Sequence, residues 1–342
     1  NLDFLVRNQA VHEGYLSFNR MLNKYYPKEL KIEDLAALGQ LELENTIVSW
    51  IKYYLGQSDL KHVALAGGVF ANVKLNQRVA EISDVEGIWI FPAMGDAGVS
   101  AGAAFLDYTS RSKTPLQTYQ LPDVYLGPSF SDKEIDSAIS EFGLFSAKPN
   151  NLEELIADLI AKRRLVGLFQ GRMEYGPRSL GHRSILIHPG DRSINTTINQ
   201  RLQRTEFMPF APVCLKEHAD DLFYNWTNSK KASEFMTVTY DVKAKWTKPL
   251  EAVVHVDGTA RPQVISEGID EQYWKILRAF YRKTGLPACV NTSFNMHEEP
   301  IVCSPAEALR SYLSGSVDVL ILGDCIVAKT EAELKEITRK NA

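Results

Sequence analysis

Two short apolar runs, each followed by glycines and then by a helix-forming stretch, constrain the fold more than any other feature of the sequence. The first run covers residues 63–66 and is followed by Gly67 and Gly68, and the second covers residues 87–91 and is followed by Gly95. Short apolar runs that end in turn residues are typical of buried strands. Because strands that alternate with helices are typical of α/β proteins, the sequence predicts an α/β fold.

The turns after these strands suggest where a ligand would bind. Free amide groups and the helix dipole favour an anion or a polar ligand at a helix N-terminus, and we expect helices to begin near Asn72 and next to Asp96. A glycine pair also serves a tight turn without any ligand about half the time. Asp96 has two compatible interpretations, a helix cap that accepts an amide hydrogen bond or a carboxylate of a metal or phosphate site.

A segment rich in arginine, GRMEYGPRSLGHRSIL at residues 171–186, follows the apolar run 165–169. Between residues 172 and 204 the chain has six arginines, no lysine and two acids. The planar guanidinium group grips phosphate or carboxylate with two parallel hydrogen bonds, which lysine cannot do. The segment therefore predicts an anion-binding loop that displays Arg172, Arg178 and Arg183. The alternative is a surface loop whose arginines pair with nearby carboxylates.

The composition limits the function classes. The chain has 342 residues, 45% of them hydrophobic, and a net charge of −4, which argues against a nucleic-acid partner. No apolar run approaches the ~20 residues of a membrane helix, so we expect no membrane partner. The four cysteines form no CxxC pair, which favours reduced thiols in a cytoplasmic protein. The oligomeric state is not readable from the sequence, and a homodimer is one of the states it allows.

The domain organisation follows from a change in pattern at residues 110–128. This stretch loses the helical periodicity of its surroundings and contains three prolines, which is typical of a boundary. We therefore predict one domain over residues 1–115 and a second over residues 116–342.

Helix starts are predicted from local signals in both domains. In the first domain, apolar residues at helical spacing predict a helix over residues 32–55. In the second, Ser131 with Glu134 and Ser304 with Glu307 have the spacing of a capping box.

Seven motifs in family order extend over nearly the whole chain, and together they are specific. They are AGGVFAN (66–72), MGDAGVSAGAA (94–104), YLGPSFS (125–131), GRMEYGPRSLGHRSIL (171–186), EFMPFAP (206–212), DGTARPQ (257–263), and NTSFN with EPIV (291–295 and 299–302). On these motifs the chain resembles the C-terminal part of the NodU/CmcH/TobZ-type O-carbamoyltransferases.

The resemblance implies a fold and a reaction. It implies a partial actin-like ATPase (ASKHA) domain, its second half, followed by a YrdC-like α/β domain. Such enzymes form carbamoyladenylate from carbamoyl phosphate and ATP, and then transfer the carbamoyl group to a hydroxyl of a sugar or secondary metabolite. The resemblance also implies a divalent metal, Fe²⁺, Mn²⁺ or Mg²⁺, near the nucleotide.

The resemblance further implies a set of site residues. Carried over by position, the residues that hold the phosphates and the carbamoyl group are Arg178, Arg183, Arg204 and Ser293. The residues that contact the nucleotide are Gly67, Gly68, Asn72, Asp96 and Asn295, with Asp96 also the metal ligand. Removal of one such donor is expected to cost roughly 2.7–4 kcal/mol of transition-state stabilisation.

The chain departs from the family pattern in three places. The family's metal site also has two histidines four residues apart, and the sequence has no such pair, so we expect the pair before residue 1 and interpret the chain as a fragment. Gln203 stands near a position where relatives often have lysine, which weakens phosphate attraction. His182 stands where asparagine is more usual, and packing is favoured over a phosphate contact.

Two other function classes stay open at this point. One is another carbamoyl-handling enzyme, of the hydrogenase-maturation or tRNA threonylcarbamoyl type. The chain lacks an acylphosphatase-like segment, zinc-finger cysteine pairs and a strongly basic face, which argues against it. The other is a non-catalytic nucleotide-binding remnant, which the missing histidine pair favours.

Overall fold

The structure is a computed structural model that describes residues 31–112, 121–203 and 210–339. The chain divides into two compact units, residues 1–57 and 58–342. The described part of the first unit is the helix Ile32–Leu55, which confirms the prediction and ends where the Gly56 amide donates to the Lys52 carbonyl (3.0 Å). The predicted boundary between residues 115 and 116 lies outside the described residues. Within them, no helix has the length and apolar character needed to cross a membrane.

The second unit begins with the two predicted strand–glycine–helix elements. Strand β1 (His62–Leu65) pairs in parallel with β2 (Gly87–Ile90). A 3₁₀ turn, Gly68–Ala71, and the helix Val73–Ala80 follow β1, and the helix Asp96–Arg111 follows β2. The order of elements confirms the α/β prediction for this part of the chain.

The two helix starts differ in how they are capped. The Asn72 side chain accepts a hydrogen bond from the Leu75 amide (3.1 Å), so Asn72 is a side-chain N-cap. At the second start the N-cap is Gly95, and Asp96 is already the first helical residue. The interpretation of Asp96 as a helix cap is therefore wrong, because Gly95 is the N-cap and no side chain makes a capping hydrogen bond at this helix start.

A mixed sheet of eight strands occupies the centre of the second unit, as far as the described residues go, in the order β3-β12-β11-β4-β5-β10-β6-β9. The pairs β4–β11 and β6–β9 are parallel and the other neighbours are antiparallel. A separate antiparallel pair is formed by β7 and β8. The strands are β3 (Phe145–Ala147), β4 (Val166–Phe169), β5 (Arg183–Ile187), β6 (Ala211–Leu215), β7 (Tyr240–Asp241), β8 (Thr259–Ala260), β9 (Gln263–Ile265), β10 (Ala288–Ser293), β11 (Val319–Leu322) and β12 (Cys325–Ala328).

The second unit also contains helices after residue 121, within the described residues. They are Asp132–Glu141, Leu152–Ala161, Ser193–Arg201, Lys216–Leu222, Lys230–Ser233, Ala244–Thr247, Glu271–Thr284, Pro305–Leu313 and Glu331–Arg339, with a 3₁₀ turn at Thr227–Ser229. Both predicted capping boxes are confirmed, Ser131 with Glu134 and Ser304 with Glu307, each with both reciprocal bonds present. Such caps satisfy amides that the first turn of a helix leaves free.

The main core lies between the sheet and the helices Leu152–Ala161 and Glu271–Thr284. Its members include Ile156, Phe280 and, on the strands, Val213, all fully or nearly fully buried. Full burial of one such side chain contributes about 1.5–3 kcal/mol. This core fixes the central strands β4, β5, β10 and β6, and the ends of these strands position the cavity described below.

Polar contacts connect the helix Val73–Ala80 to the C-terminal part of the same unit. The buried Asn76 side chain donates to the Thr237 carbonyl (2.7 Å), and Lys74 forms an ion pair with Asp257 (3.1 Å). The loss of the buried hydrogen bond between these two distant segments is costly, because the Thr237 carbonyl would then lack a hydrogen bond.

Candidate anion-binding site

The segment 171–186, which we call the arginine loop, joins β4 to β5 through backbone conformations that need glycine. Gly176 and Gly181 have φ values of 120° and 113°. A Cβ atom at Gly181 would overlap the Tyr273 ring, and one at Gly176 would lie 3.0 Å from the Pro92 carbonyl oxygen. The predicted tight turns and close approach are therefore present.

A buried carboxylate shapes the arginine loop from within. Glu174 is 6% exposed, and its Oε1 atom accepts hydrogen bonds from the amides of Leu180 (2.7 Å), His182 (2.8 Å) and Arg183 (3.1 Å). Hydrogen bonds to an ionised acceptor are among the stronger ones in proteins. Glu174 thus fixes the end of the loop and the start of β5.

Two of the three arginines predicted for the loop brace it against backbone carbonyls. Arg183 is fully buried, donates to the carbonyls of Gln170 (2.6 Å) and His182 (2.9 Å), and lies 3.6 Å from the centroid of the Phe169 ring. Burial lowers the pKa of Arg183 to about 10, while the charge of Glu174 acts in the opposite direction. Arg172 donates to the carbonyls of residues 126 (2.9 Å) and 127 (3.1 Å).

The third arginine of the loop, Arg178, lines a cavity of about 290 Å³ at the ends of β6 and β10. This volume is at the lower end of the range for small-molecule sites. We call it the arginine cavity and define it by Arg178, Ser179, Arg261, Asn291, Ser293 and Asn295. Glu298 also lines it, and the Glu298 carboxylate lies 4.0 Å from His297 Nε2.

The two arginines of this cavity form no ion pair with the described residues, although the Glu298 carboxylate also lines the cavity. Arg178 Nε is buried and makes no hydrogen bond there, and burial lowers the pKa of Arg178. Burial, together with the positive charge of Arg178, lowers the pKa of Arg261 to about 9. Both groups still carry their charge at neutral pH. The two guanidinium groups are half-buried and repel each other, and because a bound anion would offset that repulsion, the pair favours an anion as the ligand.

The two polar residues predicted beside the arginines lie in the same cavity. Ser293 Oγ donates to Asn295 Oδ1 (2.5 Å). The Asn295 amide nitrogen donates to the carbonyls of Met296 (2.9 Å) and Glu299 (3.0 Å). The structure thus brings Arg178, Ser293 and Asn295 together. Arg183, which was predicted for the same group, does not line this cavity, and Arg204 lies outside the described residues.

Sequence reasoning missed two residues of the arginine cavity, Arg261 and Asn291. The signal for both is their place in the motifs DGTARPQ and NTSFN. An arginine far along the chain from the arginine loop gives no local sign that it shares a cavity with it.

His182 packs within the loop, as expected. The His182 ring stacks on Tyr125 with centroids 3.7 Å apart, and its Nε2 lies 3.0 Å from Asp270. The opposite ring nitrogen contacts the Arg172 carbonyl (2.5 Å). These contacts occupy both ring nitrogens, so the imidazole supports the loop.

A second cavity, of about 670 Å³, lies between the turns that follow β1 and β2. Gly67, Gly68, Gly95 and Asp96 line it together with apolar side chains such as Phe105, and we call it the glycine cavity. The Gly67 amide donates to the Met94 carbonyl (2.8 Å), which holds the two turns together. Three of the predicted nucleotide-binding residues of this region therefore share one cavity, and the fourth, Asn72, is the helix cap described above.

Asp96 is exposed at this cavity. The described ranges contain no group of three or more His, Cys, Asp or Glu side chains that could hold a metal ion. A protein metal site for Mg²⁺ or Mn²⁺ combines several oxygen ligands, so these residues alone do not fit one, and no reaction step is derived through a metal.

The arginine loop rests on the turn that carries Asp96. Tyr175 Oη donates to the Ala97 carbonyl (2.7 Å), and the rings of Tyr175 and Phe91 meet edge to face at 6.3 Å. The glycine cavity and the arginine loop are thus joined by direct contacts within one compact unit.

The chain belongs to the carbamoyltransferase family. The model of the carbamoyltransferase C-terminus matches residues 157–329, and the model of the carbamoyltransferase N-terminus matches residues 3–105. The arginine loop and the arginine cavity lie within the first match, and the glycine cavity lies within the second.

Several curated proteins are similar over most of this chain. Nodulation protein NolO of Bradyrhizobium diazoefficiens is 33% identical over 307 residues, which are 89% of this chain and 56% of that protein. Nodulation protein NolNO of Sinorhizobium fredii is 33% identical over 311 residues, 90% of this chain and 45% of that protein. An uncharacterized protein of Methanocaldococcus jannaschii is 32% identical over 313 residues, 89% of this chain and 58% of that protein. The chain spans about half the length of these relatives.

Among solved structures, full-length HypF in its phosphate- and nucleotide-bound form matches with a TM-score of 0.35 at 17% identity, over 52% of this chain and 25% of that chain. A similarity of this size carries no argument about the fold or the site.

Proposed function

We propose that the arginine cavity binds carbamoyl phosphate, and that the chain takes part in transfer of its carbamoyl group to a hydroxyl-bearing small molecule. The observation that carries this proposal is the pair Arg178 and Arg261, two positive charges that line one small cavity and form no ion pair with the described residues. Membership of the carbamoyltransferase family supports the choice of anion.

The chemistry fits these residue types. Water and carbamoyl phosphate give carbamate and phosphate. A carbamate oxygen then bonds to the α-phosphorus of ATP, and pyrophosphate leaves, which forms carbamoyladenylate. In both steps negative charge collects on nonbridging phosphate oxygens. Fixed guanidinium groups stabilise that charge mainly by position and electrostatics.

The residues around the arginine cavity have different roles in this proposal. Arg178 and Arg261 contact the phosphate, and Ser293 with Asn295 orient the bound anion. Arg183 acts as a positioning residue, because its guanidinium donates to the carbonyls of Gln170, just before the arginine loop, and of His182, just before β5. The role proposed for Arg204, a further phosphate contact, rests on the family resemblance alone.

The glycine cavity is the proposed site of the nucleotide in the transfer step. Gly67 and Gly68 allow a close approach of backbone to ligand, and the nearby start of the helix Asp96–Arg111 favours phosphate groups. Residues 1–115 would then form the second half of an actin-like ATPase domain and residues 116–342 a YrdC-like domain. A divalent metal would use Asp96 together with ligands outside the described residues.

Carbamoyl-phosphate-dependent exchange of pyrophosphate into ATP tests the proposal in the full-length protein. We expect Arg178→Ala to lower the exchange rate by about 100-fold or more, the scale of a lost oxyanion donor. Arg172→Ala is the matched control, because it removes an arginine of the same loop that faces carbonyls outside the cavity.

Unchanged exchange in Arg178→Ala would remove the phosphate role of the arginine cavity. Calorimetry with ATP, with and without Mn²⁺, distinguishes the main alternative. ATP binding by a wild-type protein that shows no exchange would favour a nucleotide-binding remnant over an enzyme.

A further inference from the structure

The side chain of Asn291 has one hydrogen-bonding atom without a partner inside the arginine cavity. Asn291 lies on β10, two residues before Ser293 and therefore on the same face of the strand. It is 1% exposed and lines the cavity with Arg178 and Arg261. Its Oδ1 atom is buried and makes no hydrogen bond within the described residues.

The orientation of the Asn291 amide group is fixed by its neighbours. Its nitrogen donates to the Ser179 carbonyl (3.2 Å) and to Gln263 Oε1 (2.8 Å). Gln263 is itself oriented, because its nitrogen donates to the Leu180 carbonyl (2.7 Å). Both contacts of the Asn291 nitrogen are therefore acceptors, and a flipped amide would set oxygen against oxygen. The unpartnered atom is an acceptor.

An unpartnered acceptor alone does not define a site. Asn76, Asn195 and Asn199 also bury an Oδ1 atom without a partner in the described residues. Of these four asparagines, Asn291 is the one that lines the arginine cavity. Its oxygen would complete a site for a ligand that carries an N–H donor close to an anionic group.

Carbamoyl phosphate has this combination, an amide nitrogen two bonds from its bridging oxygen. Acetyl phosphate has the same shape and charge, but a methyl group replaces the amide nitrogen. We propose that Asn291 Oδ1 accepts a hydrogen bond from the carbamoyl nitrogen and thereby selects carbamoyl phosphate over acyl phosphates without an N–H group. This inference rests on the proposed function of the arginine cavity. A site built to bond a ligand N–H rejects an analogue without it, because the acceptor then stays buried and unsatisfied.

Two hydrolysis-resistant phosphonates allow a direct test by calorimetry on the full-length protein. Phosphonoacetamide and acetonylphosphonate are the methylene analogues of carbamoyl phosphate and acetyl phosphate, and they differ only in amide nitrogen against methyl. We expect the wild-type protein to bind phosphonoacetamide about tenfold more tightly, the scale of one buried hydrogen bond.

Variants then assign the preference to one residue. Asn291→Ala is expected to reduce the ratio of the two affinities to about twofold or less. Asn195→Ala is the matched control, since it also removes a buried asparagine with an unpartnered Oδ1, but one outside the arginine cavity. It should keep the wild-type ratio. If Asn291→Ala shows no cooperative thermal transition, Asn291→Leu, which keeps the branched shape of the side chain, takes its place.

The outcomes separate this inference from the proposed function. Equal binding of the two phosphonates by the wild-type protein would overturn the role of Asn291 and leave the anion site standing. A tenfold preference for phosphonoacetamide that survives in the Asn291 variant would also overturn the role of Asn291 and leave the anion site standing. Failure of the wild-type protein to bind either phosphonate or inorganic phosphate would overturn the proposed function itself.

Discussion

The arginine cavity and the glycine cavity lie in the same compact unit and differ in almost every physical property. The arginine cavity is small, and its lining includes two guanidinium groups that form no ion pair with the described residues and a buried amide oxygen that has no hydrogen bond there. The glycine cavity is more than twice as large, and apolar side chains such as Val99 and Phe105 line much of it.

This difference shows which cavity is pre-organised for a polar ligand. Two half-buried positive charges in one cavity repel each other and destabilise the folded protein, and a bound anion would offset that cost. The glycine cavity has no comparable pair of like charges among the described residues that line it, and Asp96 there is exposed. We therefore expect substitutions in the arginine cavity to change ligand binding strongly and those in the glycine cavity to change it weakly.

The largest effect is expected for Arg261→Ala, which removes one of the two charges. Affinity for phosphonoacetamide, measured by calorimetry on the full-length protein, should fall by about 100-fold. The melting temperature without ligand should rise by about 2 °C, because the repulsion between Arg178 and Arg261 is relieved.

The control for this variant is Arg282→Ala, which removes an exposed arginine paired with Glu154. It should leave the affinity unchanged. A loss of affinity below about threefold in Arg261→Ala would contradict the central role given to the arginine pair and would make the two cavities more alike than proposed.

The next largest effect is expected on stability, for Arg183→Met. This substitution removes the donors to the Gln170 and His182 carbonyls, each a bond from a charged group. We expect the free energy of unfolding to fall by about 3 kcal/mol, measured by urea denaturation.

Arg172→Met is the matched comparison for Arg183→Met, since it also loses two bonds to carbonyls but at an exposed position. Its cost should stay below about 1 kcal/mol. Equal costs for the two variants would show that burial of the Arg183 guanidinium contributes nothing to the stability of the loop.

Arg178 and Arg183 illustrate what the sequence could and could not predict. The crowding of arginine and glycine in residues 171–186 correctly predicted a tight loop. Burial and bonding partners then separate Arg178 from Arg183, which are only five positions apart. No sequence pattern encodes which of two nearby guanidinium groups turns into a cavity and which turns toward backbone carbonyls, because that choice depends on the strands packed around them.

The elements themselves were more predictable than the site. Ser131 and Ser304 were correctly predicted as caps because a capping box is a local pattern of three to four residues. Asp96 was not correctly predicted as a cap, since a shift of one position changes the role and helix boundaries are uncertain by that amount. The place of Arg261 in the arginine cavity depends on the order of strands in the sheet, which is a property of the whole chain.

A smaller effect is expected from pH. The pKa of Arg261 is lowered from 12.5 to about 9 in the folded protein, so its charge is lost as pH rises through about 9. Above that pH the unfolded chain binds more protons than the folded one, so the contribution of Arg261 to stability rises with pH. Affinity for phosphonoacetamide should move in the opposite direction and fall about tenfold from pH ~8 to pH ~10.

In Arg261→Ala, titrated at higher ligand concentration, the fall with pH should be absent. A wild-type affinity that stays constant to pH ~10 would show that the bound anion does not interact with the Arg261 charge, or that the pKa of Arg261 in the free protein is higher than about 9. Either result would weaken the contrast between the arginine cavity and the glycine cavity.

The smallest effect is expected for Asp96→Asn, in the glycine cavity. Asp96 is exposed and is not the helix cap, so the melting temperature should change by about 1 °C or less. Affinity for phosphonoacetamide should change by less than about twofold, because the arginine cavity does not use this residue. Any loss of ATP affinity should be larger with Mn²⁺ than without it.

Asp107→Asn, at an exposed ion pair on the same helix, controls for a general change of charge. If Asp96→Asn weakened phosphonoacetamide binding about tenfold and Asp107→Asn did not, the contact between Tyr175 and Ala97 would have to couple the two cavities, and they would form one functional site.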